Sequence, residues 1–145
     1  MPDRVSPRIA NYVAALPLRP DMRILEIGCG PGVAAREISR ALSTGRIVAI
    51  DRSAKAIALA EAGSADEMAS GRLEFRQSAI EDFVLEAGEA RFDLAFVMRV
   101  GALDGRHPEL AARAMARLAA ALKPDGLLFI DDNPPISARE MSRIS

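Results

Sequence analysis

The 145-residue sequence holds one cysteine, one histidine, one tyrosine and no tryptophan. A single cysteine cannot build a disulfide framework, and Cys29 with His107 falls short of the ligand set of a zinc site, so no metal is expected. Lysine occurs only at Lys55 and Lys123, and arginine completes a set of 19 basic residues against 20 acidic ones. The resulting net charge of −1 gives, by charge alone, no sign of a surface for nucleic acid or for a membrane. Long apolar runs are missing as well. No stretch approaches the ~20 apolar residues that span a bilayer, and the opening segment MPDRVSPRIA has no apolar signal core. The cytoplasm is the default expectation from these absences. What is present is ordinary for one globular domain with a real core: half the residues are hydrophobic and 27% are charged.

Apolar strand-like runs alternate with helical patterns along the chain. Ser6-Pro7 has the form of a helix N-cap followed by proline in the first turn. Ile9, Tyr12, Val13 and Leu16 then recur at helical spacing as far as Pro17. Met22–Gly28 reads as a buried first strand ending in glycine, and Val33, Ile38, Ala41 and Leu42 mark one face of the helix after it. Arg46–Asp51 is the second strand, and Ser53 caps a helix bearing Ile57, Leu59 and Ala60. Arg72–Ser78 alternates as the third strand, Phe92–Val100 is the fourth, and a helix runs from about Pro108 to Leu122. Pro124-Asp125-Gly126 turns into a fifth strand, Leu127–Asp131, while Gly63–Gly71 and Glu86–Arg91 read as loosely structured. This alternation predicts a single α/β domain over residues 1–145. Its sheet is doubly wound, mostly parallel and five-stranded, with order 3-2-1-4-5 and helices on both faces.

In such a sheet a ligand sits beyond the carboxyl ends of the strands, where strand order reverses. Here that place is the turn "LEIGCGPG", Leu25 to Gly32. Gly28 and Gly30 fit the first two positions of a dinucleotide fingerprint, but the third falls on Val33, and the third glycine is Gly32. Glu26 departs further from the fingerprint. A carboxylate at this turn opposes a pyrophosphate and suits an ammonium group. No Lys-Ser or Lys-Thr follows that would make a phosphate loop. Asp51 ends the second strand 19 residues after Gly32, the offset of an acidic residue that bonds a ribose diol. A ligand with a ribose and an ammonium group but no phosphate is S-adenosylmethionine.

With those residues in hand, the chain resembles the class I S-adenosylmethionine-dependent methyltransferases, whose fold is Rossmann-like. "LEIGCGPG" is similar to their first motif, "AIDRS" to their second, and "FRQSAIEDF" to the region that holds adenine. "RFDLAFVMRVGAL" and "LKPDGLLFI" are similar to their fourth and fifth strands, so the likeness runs from about Arg23 to Asp131. It implies that Glu26, Gly28, Gly30 and Gly32 frame the methionine part of the cofactor, with Cys29 facing it in the same cofactor-binding turn. It also implies that Asp51 holds the ribose hydroxyls and Arg52 lies along the adenine. Ser78 stands where many members have an aspartate for the adenine amino group, Ala79 offers its N–H to the ring, Ile80 an apolar contact, and Met98 approaches the methionine chain. The implied activity is methyl transfer to an unidentified small molecule. The rival readings are a non-catalytic cofactor-binding sensor or partner subunit, and an NAD-dependent oxidoreductase, which Val33 and Glu26 disfavour.

Several residues carry two readings. Cys29 is a small filler or a nucleophile, and His107 is a loop residue or a base. Arg99 either binds an anionic substrate group or pairs with an acidic neighbour, and Tyr12 either packs its helix or covers the cofactor. "DNPPI" (Asp132–Ile136) resembles the N-P-P-aromatic motif of amino-group methyltransferases, but it follows the fifth strand rather than the fourth and lacks the aromatic. Family members continue past the fifth strand with more sheet, whereas only 14 residues follow Asp131 here. Pro134 and Pro135 disfavour ladder pairing among them, and Ser137 with Glu140 has capping-box spacing for a short helix from Ala138 to about Ile144. That reading leaves the fifth strand as an apolar edge, and a homodimer burying this edge or the adjoining face is the expectation drawn from it.

Overall fold

The computed structural model describes residues 5–98 and 107–144. The chain opens with helix α1 (Pro7–Ala15), capped by Ser6 Oγ, which accepts from the Ile9 N–H at 3.2 Å. It continues through β1 (Arg23–Ile27), α2 (Val33–Ala41), β2 (Arg46–Asp51), α3 (Ala54–Ala62), α4 (Ala65–Ala69) and β3 (Leu73–Gln77). A 3₁₀ turn (Ile80–Asp82), β4 (Phe92–Val97), α5 (Pro108–Ala121), β5 (Leu122–Ile130), β6 (Ile136–Ser137) and α6 (Ala138–Ile144) complete it. Among the described residues no helix is long and apolar enough to cross a membrane.

The sheet order is β3-β2-β1-β4-β5-β6, so the predicted 3-2-1-4-5 order stands and its five-strand count is corrected to six. The first five strands are parallel, and β6 adds antiparallel to β5 through Leu127↔Ser137 and Leu128↔Ile136. Pro134 and Pro135 did not prevent this pairing, because they lie just before β6 and need donate nothing to its ladder. The capping box is present: Ser137 N–H donates to Glu140 Oε1 and Glu140 N–H to Ser137 Oγ, each at 3.2 Å. The helix it starts buries Ala138 and Met141 against the sheet.

The parallel strands read as continuous apolar runs because both their faces are covered. One face carries α1, α2 and α3 over Ile24, Ile47, Ala49, Phe75, Leu94 and Phe96. The opposite face carries α5, α6 and the 3₁₀ turn over Leu25, Ile27, Val48, Ile50, Ala95, Val97 and Leu128. Four details depart from the sequence reading. Ala41 and Leu59 are exposed, so the helix faces are set by Ala34, Ala35 and Ile38 in α2 and by Ile57 and Ala60 in α3. Residues 63–71 include α4 rather than a loose loop. The stretch before β4 is pinned through Glu89, whose carboxylate accepts from Arg76 at 2.6 Å and Arg23 at 3.3 Å and is thereby held below the usual carboxylate range. Lastly, Pro124-Asp125-Gly126 does not start β5 but bulges within it, where the register jumps between Phe92↔Leu122 and Leu94↔Leu127.

Candidate functional site

The turn leaving β1 is shaped by backbone. Gly28 and Cys29 N–H both donate to Ile50 O, at 2.8 and 2.9 Å, which ties the turn to the end of β2. Gly30 has φ +54°, and a side chain there would meet no atom within 4 Å. That open side is the approach a ligand would use. Gly32 has φ +89° and caps α2, and a Cβ on it would lie 3.0–3.2 Å from Phe75, Arg36 and Ala60, so both conformation and space call for glycine.

Asp51 is more than a prospective ribose ligand. Its Oδ2 accepts from Gly30 N–H and its Oδ1 from Ser53 N–H, both at 2.9 Å. The carboxylate thus fastens the glycine turn to the start of α3. Each oxygen retains a further lone pair for a ligand hydroxyl. Ser53 in turn caps α3 by accepting from Ala56 N–H at 3.1 Å. Ser78 N–H donates to Asp51 O at 2.9 Å, so the predicted adenine-side segment Ser78-Ala79-Ile80 is carried directly beside Asp51. Arg52 is mostly exposed and lies 3.8 Å from buried Glu81.

Glu26 is the unusual member. Its register partners are Ala49 on β2 and Phe96 on β4, and one more step outward lie Phe75 on β3 and Phe129 on β5. One carboxyl therefore interrupts a transverse row of apolar side chains. It is 5% exposed, and its Oε1 has no hydrogen-bond partner among the described residues. Burial pushes its pKa up to about 8, with the Asp51 carboxylate adding to the effect. Tyr12 of α1 lies over this row, its ring 5.9 Å from that of Phe96, and its hydroxyl is the other buried side-chain polar atom without a partner among the described residues. Burial first, then Asp131, Asp132 and Glu26, push the Tyr12 phenol up to about 12. The Cys29 thiol is raised by burial and by the same two acids, Glu26 and Asp51, which keeps it protonated and unreactive.

These groups fit the cofactor that the motifs imply. An unpartnered buried carboxylate oxygen is costly unless a cation reaches it, and an ammonium group is such a cation. The open side of Gly30, the Asp51 carboxylate beside it and the apolar Ile80 would take the remaining parts.

Beside this cradle a cavity of about 700 Å³ lies between α1 and the carboxyl ends of β4 and β5. Tyr12, Leu16, Met98 and Phe129 form its apolar wall, while Arg8, Asn11, Asp131, Asp132 and Asn133 supply polar groups. Asp131 turns the chain into this rim with φ 46°, a left-handed conformation that aspartate tolerates. Met98 and Tyr12 are the predicted site residues that line the cavity. The rest were not anticipated, and helical spacing alone marked Leu16 only as packing. Arg36 was also missed. It is buried, and its guanidinium donates to Pro31 O and to Ser64 Oγ, each at 2.9 Å, bracing the glycine turn against the α3–α4 junction. Arg99 lies outside the described residues, and His107 precedes α5 in an exposed position.

Comparison with known proteins agrees with this geometry. The sequence family described as a methyltransferase domain matches residues 24–126. The ubiquinone biosynthesis O-methyltransferase of Xanthomonas campestris pv. campestris is 31% identical over 127 residues, covering 87% of this chain and 49% of its own. Among solved structures, the [4+2]-cyclase SpnF superposes with a TM-score of 0.68 at 27% identity, over 85% of this chain and 43% of its own. A S-adenosylmethionine-dependent methyltransferase from Geobacter sulfurreducens, solved with S-adenosylhomocysteine, superposes with a TM-score of 0.67 at 22% identity, over 87% and 47%. The chain spans at most about half the length of the relatives it matches. The chain belongs to the methyltransferase domain family, with the Rossmann-like fold of the S-adenosylmethionine-dependent methyltransferases.

Proposed function

We propose that this chain binds S-adenosylmethionine in the cradle formed by Glu26, the glycine turn and Asp51, and directs methyl transfer to a small molecule seated in the neighbouring cavity. The observation that carries the reading is Glu26: a buried carboxylate with an unpartnered oxygen, at the foot of a turn whose Gly30 N–H is already held by Asp51. Such a site offers a pyrophosphate no counter-charge and can pair with an ammonium group, which separates this reading from an NAD-dependent one.

When bound, S-adenosylmethionine supplies a methyl group already activated on a sulfonium. The protein's task is then alignment and exclusion of water, and well-oriented partners gain about 7–11 kcal/mol from it without a dedicated catalytic group. Tyr12 and Leu16 from α1, Met98 at the end of β4 and Phe129 on β5 enclose the acceptor, and about 700 Å³ suits a small molecule. The Asp131 and Asp132 carboxylates on the rim are placed to take a proton where the acceptor must lose one. The name of the Xanthomonas campestris relative makes hydroxyl-bearing small molecules the first acceptors to try.

Calorimetry with S-adenosylhomocysteine and with NADH is the direct test of the cofactor. Micromolar binding of the first and none of the second is expected, and the reverse overturns the proposal. A screen of hydroxyl-bearing acceptors with radiolabelled cofactor then tests transfer. Tight binding with no turnover on any acceptor would favour a cofactor sensor or partner subunit instead.

A further inference from the structure

Glu26 lies on the α1-side face of β1, and among the described residues the groups that act on it are acids. Asp51 approaches from the end of β2, Cys29 from the glycine turn and Tyr12 from α1, while β4 presents Phe96. Asp131 and Asp132, past β5, act on Tyr12 from its far side. Among these described groups none is a cation. Among the described residues, a charged carboxylate in that position has neither a hydrogen bond to Oε1 nor a counter-charge to offset its lost hydration.

We propose that Glu26 is a neutral carboxylic acid in the ligand-free protein and surrenders its proton when the cofactor's ammonium group arrives, so that cofactor binding is coupled to proton release. This rests on the cofactor assignment above and adds to it a mode of regulation. The balance is simple. The O–H bond of Glu26 breaks, the proton passes to solvent, and the carboxylate left behind pairs with an ammonium that keeps all its own protons. With the free acid at about 8, Glu26 is protonated in most molecules at neutral pH. Each binding event must then work against that proton, and affinity strengthens as protons become scarcer. For a single group the dissociation constant falls about tenfold per pH unit well below the free pKa and levels off above it. Acidification therefore unloads the site by returning the proton to Glu26 and breaking its pair with the ammonium.

Wild-type protein suffices for the test. S-adenosylhomocysteine is titrated calorimetrically at about pH 6.5, where its amino group stays protonated, in buffers of low and of high ionisation enthalpy, and the dissociation constant is followed from about pH 6 to 7.5, below the range in which an α-amino group titrates. The expected result is a buffer-dependent enthalpy that corresponds to nearly one proton released per ligand, with affinity rising about tenfold from pH 6 to 7. A second arm uses Glu26→Gln, which should bind more weakly, with no proton release and a flat pH profile. Tight binding with equal enthalpies in both buffers and a flat profile overturns the proton coupling and leaves the cofactor assignment standing. Proton release that persists in Glu26→Gln assigns the proton to another group and equally overturns it. Absence of binding at every pH defeats the cofactor assignment itself.

Discussion

The proposed cofactor cradle and the neighbouring cavity lie side by side under α1, yet they are built in opposite ways. The cradle is drawn from two consecutive strand ends: the turn after β1 and Asp51 at the end of β2, joined by Gly28, Cys29 and Gly30 N–H bonds of 2.8–2.9 Å. The cavity is drawn from α1, the end of β4 and the segment after β5, segments far apart in the chain, and side chains rather than backbone form its wall. A ligand of constant chemistry imposes a constant spacing on the residues that hold it. An acceptor imposes none, because any side chain of suitable shape serves wherever the fold brings it.

The strongest test of the contrast is Glu26. Glu26→Gln should cost about 3 kcal/mol in S-adenosylhomocysteine affinity, roughly a hundredfold or more, because a desolvated ammonium loses its counter-charge. Stability should move the other way. The folded pKa of about 8 lies above the ordinary 4.5, so the contribution of Glu26 to stability is full below about pH 4.5 and is lost as pH rises toward 8. Thermal melts of ligand-free wild type should therefore fall in Tm across that window, while Glu26→Gln stays flatter and melts higher at pH 8. Parallel Tm profiles would show that Glu26 is not the buried acid described here.

Asp51→Ala comes next, at about 1–3 kcal/mol of S-adenosylhomocysteine affinity by calorimetry. It removes a ligand acceptor and also the bond to Gly30 N–H, so Asp51→Asn, which keeps one acceptor oxygen, should recover part of the loss. Equal affinity in Asp51→Ala and wild type would refute both roles.

How far this difference was legible in advance follows from the same physics. Glycines at Gly28, Gly30 and Gly32, with Glu26 before and Asp51 after them, have to keep their spacing, and they could be read from the chain alone. The first four parallel strands were equally legible, since strands covered on both faces are continuous apolar runs. Edges and bulges were not. β6 is two residues long and follows two prolines, a pattern that argues against a strand until β5 is seen beside it. The bulge at Lys123–Gly126 looks like any Pro-Asp-Gly turn, because its distinguishing feature is the register of β4 across from it. Phe129, Asp131 and Asn11 had no local mark as cavity residues, and Arg36 read as one more helix arginine before Pro31 O and Ser64 Oγ were found around it.

Phe129→Ala probes the cavity in isolation. Loss of that wall should raise the acceptor KM by about 1–2 kcal/mol equivalent, tenfold or so, with S-adenosylhomocysteine affinity within twofold of wild type. A matching loss of cofactor affinity would mean that the two regions are one site and that the contrast drawn between them is false.

The smallest expected effect lies at the far edge of the sheet, where Ser137→Ala removes the hydroxyl that accepts from Glu140 N–H. N-cap losses of this kind cost about 0.5–2 kcal/mol, seen as a modest drop in Tm. The consequence for assembly is sharper than the energy. β6 pairs with β5 at Leu127 and Leu128, and a homodimer built through this edge must first displace it. Weakening the cap of α6 loosens the β6–α6 unit and exposes the edge, so a dimer formed by this route should become more populated in Ser137→Ala than in wild type. Light scattering after size exclusion at micromolar concentration reads the difference. If both proteins run at the 15.5 kDa of a single chain, β6 and α6 protect the edge with strength to spare, and pairing through β5 has no part in the protein's behaviour.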